Sequence, residues 1–107
     1  MTTLCCILPD LGTTVRQFGE IEVDPNNWRV HTNLFVHSQQ EGTAQMIVAA
    51  AIHNGLVSKA GALADVIEIA VPLDGECSAS DALEALEVFF EQLPHAIRSY
   101  LAATRAA

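Results

Sequence analysis

Two periods of apolar and polar residues run along this chain, and the switches between them mark its elements. Leu4–Leu8 is a short apolar run closed by Pro9-Asp10-Leu11-Gly12, which predicts a strand and then a turn. In Val15–Val23, Ile21 and Val23 alternate with Glu20 and Glu22, as a half-buried strand requires. Asp24-Pro25-Asn26-Asn27 predicts a turn, since proline presets φ and asparagine tolerates the left-handed region. Across Trp28–Val36, Trp28, Val30, Thr32, Leu34 and Val36 share one face, and Arg29, His31, Asn33, Phe35 and His37 share the other. A hairpin over about residues 15–36 follows.

The period then lengthens. Ser38-Gln39-Gln40-Glu41 has the form of a capping box, which predicts a helix from Ser38 to Asn54 with Gly55 ending it. From Ala44 to Ile52 only Gln45 is polar, so this helix is apolar almost all the way round. A helix resting on one sheet needs an apolar stripe of only about 100°. A second copy of the chain is the economical cover for the rest, and Ala44, Ala49, Ala50 and Ala51 would let two such helices approach closely. The alternative is a helix sandwiched within one chain.

Leu56–Lys59 is expected as a short strand turning at Ala60-Gly61. Asp65–Val71 alternates again, with Ile67, Ile69 and Val71 on one face, and Pro72 ends it. Ser78 or Ser80 is expected to cap a last helix with Asp81 in its first turn. Leu83, Leu86, Phe90, Leu93 and Ile97 form its apolar face, and Glu84, Glu87 and Glu91 lie opposite. Pro94 is expected to kink or break it near Phe90. The order β-β-β-α-(β)-β-α predicts one α+β domain over residues 1–107, with a largely antiparallel sheet and helices packed on it.

Charge sharpens this picture. Between Lys59 and Arg98 there is no lysine or arginine, while Asp65, Glu68, Asp74, Glu76, Asp81, Glu84, Glu87 and Glu91 all fall there. The other acidic and basic residues cancel, so the whole net charge of -8 sits in that block. Phosphates would be repelled, which disfavours direct nucleic-acid binding and anionic membranes and favours basic or amphipathic proteins. The apolar runs are too short to span a bilayer. Met1–Cys6 has neither a basic region nor a long apolar one, so a cytoplasmic protein is expected. Cys5, Cys6 and Cys77 lack paired spacing and are read as reduced thiols.

The residues point away from catalysis. His31 and His37 would share a strand face but sit about 20 Å apart along it, too far to share a metal ion. His31, His37, His53 and His95 are the histidines that could suggest a metal, and His53, near a helix end, is better suited to bonding the last carbonyls. No motif pairs a cysteine with a histidine, and no glycine-rich phosphate loop occurs. The glutamates at helical spacing opposite Leu86 and Phe90 have the pattern of a solvated helix face. No catalytic residue, metal site or cofactor is assigned, and the chain is read as a non-enzymatic binding protein.

The run "VIEIAVPLDGECSASDALEALEVFFEQLPHAIRSYL", Val66–Leu101, resembles the carboxy-terminal half of class I type III secretion chaperones. In that family an apolar strand ends in a Pro-Leu-Asp-type turn, and a capped helix rich in leucine and glutamate closes the domain. Trp28–Val36 is similar to its third strand, Gln39–Asn54 to its central helix and Leu56–Ala60 to its short fourth strand, so the resemblance covers about residues 15–101. It implies a cofactor-free, non-enzymatic homodimer that wraps an extended segment of a secreted effector over apolar grooves. It also implies Met46, Ile47, Ala50 and Ala51 in the dimer helix, and Val30, Leu34 and Phe35 as partner-facing sheet positions. The family usually begins with an amphipathic helix, whereas Met1–Leu8 is short and β-like. The competing reading is a small acidic inhibitor, an immunity or phage anti-defence protein, whose Asp74, Glu76, Asp81, Glu84, Glu87 and Glu91 would block a basic site.

Overall fold

The computed structural model describes residues 4–74 and 79–105. The strands are β1 (Cys5–Leu8), β2 (Thr13–Asp24), β3 (Arg29–His37), β4 (Lys59–Leu63) and β5 (Val66–Pro72). The helices are α1 (Thr43–His53), between β3 and β4, and α2 (Ala79–Arg105), after β5. All strand pairs are antiparallel, and the order across the sheet is β1-β2-β3-β5-β4. Both helices lie on the same face, α1 over β4 and β5 and α2 over β1 and β5. The protein is thus an α+β domain of two layers.

The long β2–β3 hairpin is held by side chains at its turn and at a bulge midway along it. At the turn, Asp24 Oδ1 accepts from the amides of Asn26 and Asn27 at 2.9 and 3.3 Å, and Asn27 Nδ2 donates to Asp24 Oδ2 at 2.8 Å. Trp28, expected to open the strand, instead closes the turn with φ 47°. A left-handed last residue is what a four-residue hairpin loop uses to match the strand twist. Between Phe18 and Glu22 the register shifts across a bulge. Gly19 supplies φ 75° there, Gln17 Nε2 donates to Gly19 O and to Thr32 Oγ1, and Thr32 Oγ1 donates to Glu20 O.

Three boundaries differ from the sequence expectation. The capping box does not form: Ser38 Oγ bonds Thr43 Oγ1 and the Gln40 amide, and α1 starts at Thr43 behind Gly42, whose φ is 82°. Its other end is as expected. Leu56 N donates to Ala51 O and Gly55 N to Ile52 O, with Gly55 left-handed at φ 69°, the Schellman arrangement. The fourth strand lies later than expected: Ala60 and Gly61 are inside β4, and the chain reverses at Ala64-Asp65, with Leu63 opposite Val66. Lastly, α2 runs as one 27-residue helix through Pro94. The ring cannot donate to Phe90 O, but Leu93, Ala96 and Ile97 on either side are buried, and this packing holds the helix together.

The core is the seam between sheet and helices. Val15, Val30, Leu34, Val36 and Ile67 from the sheet meet Ile47 of α1 and Leu86 and Leu93 of α2, all less than 2% exposed. On α2 the buried stripe is Ala82, Leu86, Phe89, Phe90, Leu93, Ala96 and Ile97, while Leu83 falls off its edge and is 44% exposed. Asn54 bridges the helices, Nδ2 donating to Ala50 O at 2.8 Å and Ala96 O at 3.0 Å. Replacing Leu86 by alanine should cost about 2–5 kcal/mol. Urea unfolding followed by circular dichroism will measure it, with Leu83→Ala expected to cost far less because that side chain is already wet.

Candidate functional site

A sheet has two faces, and the helices here occupy one. Cross-strand partners share a face, so the register maps the uncovered side. One row reads Cys5, Arg16, Phe35, Val66, Leu63; the next reads Phe18, Asn33, Glu68, Gly61; a third reads Glu22, His31, Ala70, Lys59. The first two hold an apolar band. Phe18 meets Phe35 edge-on with centroids 6.3 Å apart, and Phe35 lies 4.6 Å from the ring of His37. Leu63 is 83% exposed and Ile7, beyond the first row on β1, is 68% exposed. Aromatic rings held rigidly on strands present apolar contact area at little entropic cost.

The expected site residues separate in space. Phe35 lies on this open face, but Val30 and Leu34 are fully buried on the helix side of the same strand. They build the core, and a partner cannot reach them. Ile47, Ala50 and Ala51 are buried within the single chain too, and only Met46 is half-exposed. The apolar circumference of α1 that the sequence assigns to a second copy is largely taken up by α2, leaving Ile52 53% exposed. Asp74, Asp81, Glu84, Glu87 and Glu91 are all exposed. Asp74, Asp81 and Glu84 border a groove floored by Leu73, Ala85 and Val88. Glu76 and Cys77 lie outside the described residues.

Sequence reasoning missed Phe18, Val66 and Leu63 as surface residues of one band. Phe18 pairs beside Phe35 only because β2 and β3 are in this register, and Leu63 joins them only because β4 extends to the Ala64-Asp65 turn. The available signal was Phe35 itself, an aromatic residue among Arg29, His31, Asn33 and His37 on the polar side of its strand.

Polar chemistry near the site is structural in character. Asp24 is held below the usual carboxylate range, first by the Asn27 side chain, then by the Asn26 amide, with Arg29 Nε 3.6 Å away adding a smaller effect. His31 Nε2 lies 4.0 Å from Asp24. Burial pushes the Cys6 thiol up, and neighbouring Cys5 adds to this, which keeps Cys6 in its unreactive protonated form. His53 meets Tyr100 of α2 edge-on at 5.6 Å. Among the described residues no three of His, Cys, Asp and Glu are grouped to hold a metal ion. No helix among them is long and apolar enough to cross a membrane.

Fold and site together define a two-layer α+β domain with one sheet face open, on which an apolar band lies among polar residues. Comparison with protein-family models, with curated proteins and with solved structures gives no match to the chain.

Because Asp24 has a lowered pKa in the folded state, its stabilising effect is complete above its unfolded value of about 4. It is lost as pH falls through the folded value. Thermal melts should therefore show Asp24→Asn less stable than the native chain at pH 7, with the gap closing towards pH 2.

Proposed function

We propose that this chain is a non-enzymatic binding protein that holds an extended segment of a partner protein, acting as a homodimer in the cytoplasm in the manner of a secretion chaperone. The observation that carries this reading is the uncovered sheet face with its band of Phe18, Phe35, Val66 and Leu63. An extended segment with apolar side chains on alternate residues would lay them on that band and turn its other side chains to solvent. Exposed apolar patches of this kind mark interaction sites on small domains. The segment should be basic between its apolar residues, because the chain as a whole carries net charge -8 and attracts basic partners at long range. The resemblance of Val66–Leu101 to class I type III secretion chaperones agrees with this role.

A second reading is supported by a different surface. Glu84, Glu87 and Glu91 stand exposed along the outer side of α2, near Asp81 and Asp74, as an inhibitor of a basic site would need. Such an inhibitor binds by charge and loses affinity steeply with salt, whereas apolar contact does not.

Fluorescein-labelled dodecapeptides separate the two readings, one alternating valine with lysine and one alternating valine with glutamate. The native chain should bind the valine–lysine peptide in fluorescence anisotropy. Phe35→Asp, at a half-buried position on the open face, should weaken it by about tenfold or more while the chain stays folded by circular dichroism. Absence of binding by the native chain, or indifference to Phe35→Asp, would refute the open-face reading. Binding that collapses in high salt and on Glu84→Lys/Glu87→Lys/Glu91→Lys, but not on Phe35→Asp, establishes the inhibitor reading instead.

A further inference from the structure

A pocket on the helix side of the sheet lies apart from both surfaces considered above. Leu8 ends β1, and Pro9–Leu11 then form a single turn of 3-10 helix. That turn faces α2 across a cavity of about 90 Å³. Leu8, Pro9 and Leu11 make one wall, and Pro94, Ile97 and Leu101 of α2 make the other. Leu8 and Ile97 are buried, and Leu11 and Leu101 are half-buried against the core. All six side chains are hydrocarbon, so they offer a water molecule no partner.

The walls are stiff. Proline rings stand on both sides, Pro9 opening the 3-10 turn and Pro94 within α2, and neither has rotamers to rearrange. Gly12, left-handed at φ 57°, closes the turn by donating its amide to Pro9 O at 3.1 Å. Pro94 removes a hydrogen bond from the middle of a helix, and the cavity is what its ring borders there. The pocket keeps its shape before anything enters it, which lowers the cost of binding.

Arg98 supplies the polar part. It also lines the cavity, it is exposed, and it has no ion pair or hydrogen bond among the described residues. On a helix an arginine is paired by carboxylates three or four residues away. Here those positions are Pro94, His95, Leu101 and Ala102, none of them acidic. The nearest carboxylate back along α2 is Glu91, two turns before Arg98. A guanidinium beside a hydrocarbon pocket matches a molecule that carries both an aliphatic group and a carboxylate, which it can hold by two parallel hydrogen bonds. The net charge of -8 opposes anions in proportion to their charge, so a single carboxylate is opposed least. Size narrows the class further. A cavity of about 150 Å³ holds benzene, or roughly 25 Å³ per carbon, so this one takes an aliphatic group of about four carbons.

We propose that this pocket binds a small free carboxylate, its aliphatic group of about four carbons seated between the Pro9 turn and α2 and its carboxylate paired with Arg98. The site is independent of the open-face reading, because it lies on the other side of the sheet from Phe18 and Phe35.

The test titrates 3-methylbutanoate, which carries an isobutyl group, into the isotope-labelled full chain and follows backbone amide shifts by NMR. Saturable shifts at Leu8, Leu11, Ile97 and Leu101 are expected, with a dissociation constant of about 1 mM for a ligand of this size. Arg98→Gln, which stays folded by circular dichroism because the site is exposed, should weaken binding by about tenfold. The uncharged 3-methylbutanol should bind the native chain about tenfold more weakly than the acid and be indifferent to Arg98→Gln. Absence of saturable shifts at these residues, equal binding of acid and alcohol, or indifference of the acid to Arg98→Gln overturns the proposal. Nα-acetyl-leucine presents the same isobutyl group and carboxylate at the end of a peptide unit. If it binds more tightly than 3-methylbutanoate, the pocket serves the carboxy terminus of a chain and the free-acid proposal fails.

Discussion

Two helices must cover a five-stranded sheet, and they can cover only one of its faces. Everything else in the molecule follows from that shortage. An antiparallel sheet tolerates a wet face, because its strands can alternate apolar and polar side chains. On β3 this works as expected: Val30, Leu34 and Val36 are sealed under the helices, and Arg29, His31 and Asn33 look outward. The exceptions are the outward rings and aliphatic groups of Phe18, Phe35, Val66 and Leu63. They lie on the face away from the helices, and the proposed binding role draws on them.

The same shortage explains α1. Its apolar circumference suggests a helix in need of a second chain, yet α2 runs alongside it for long enough to take the excess. Asn54 ties the two together through the Ala96 carbonyl, and Tyr100 packs against His53. Interior positions of α1 are thereby spent within one subunit. What remains outside is a narrow flank with Val48 half-buried and Ile52 53% exposed. Glu84, Glu87 and Glu91 of the acidic block stand instead on the exposed side of α2. The two functional readings draw on different surfaces, one using the apolar face and the other the carboxylates.

Much of the fold was legible in the residues. Asp24-Pro25-Asn26-Asn27 identified the hairpin turn because its hydrogen bonds are local, between Asp24 and the next three residues. Gly55 identified the end of α1 for the same reason. The failures were at places where a local signal competes with a distant one. Ser38 and Glu41 match a capping box, but Ser38 bonds Thr43, and the helix waits for Gly42. Ala60-Gly61 looks like a turn until β5 pairs beside it and makes it strand. Pro94 predicts a break, and the buried residues on both sides of it override that preference.

The sequence by itself determined the alternation of β3 and β5, the turn between β2 and β3, the end of α1 and the location of the charge. These depend on alternation and on near neighbours, which a linear chain displays. Only the tertiary structure decided which face stays open, that Phe18 and Leu63 belong to the same band as Phe35, and that Ile47, Ala50 and Ala51 are interior. Those facts depend on strand order, register and helix placement, which join residues distant along the chain through packing that no local pattern encodes.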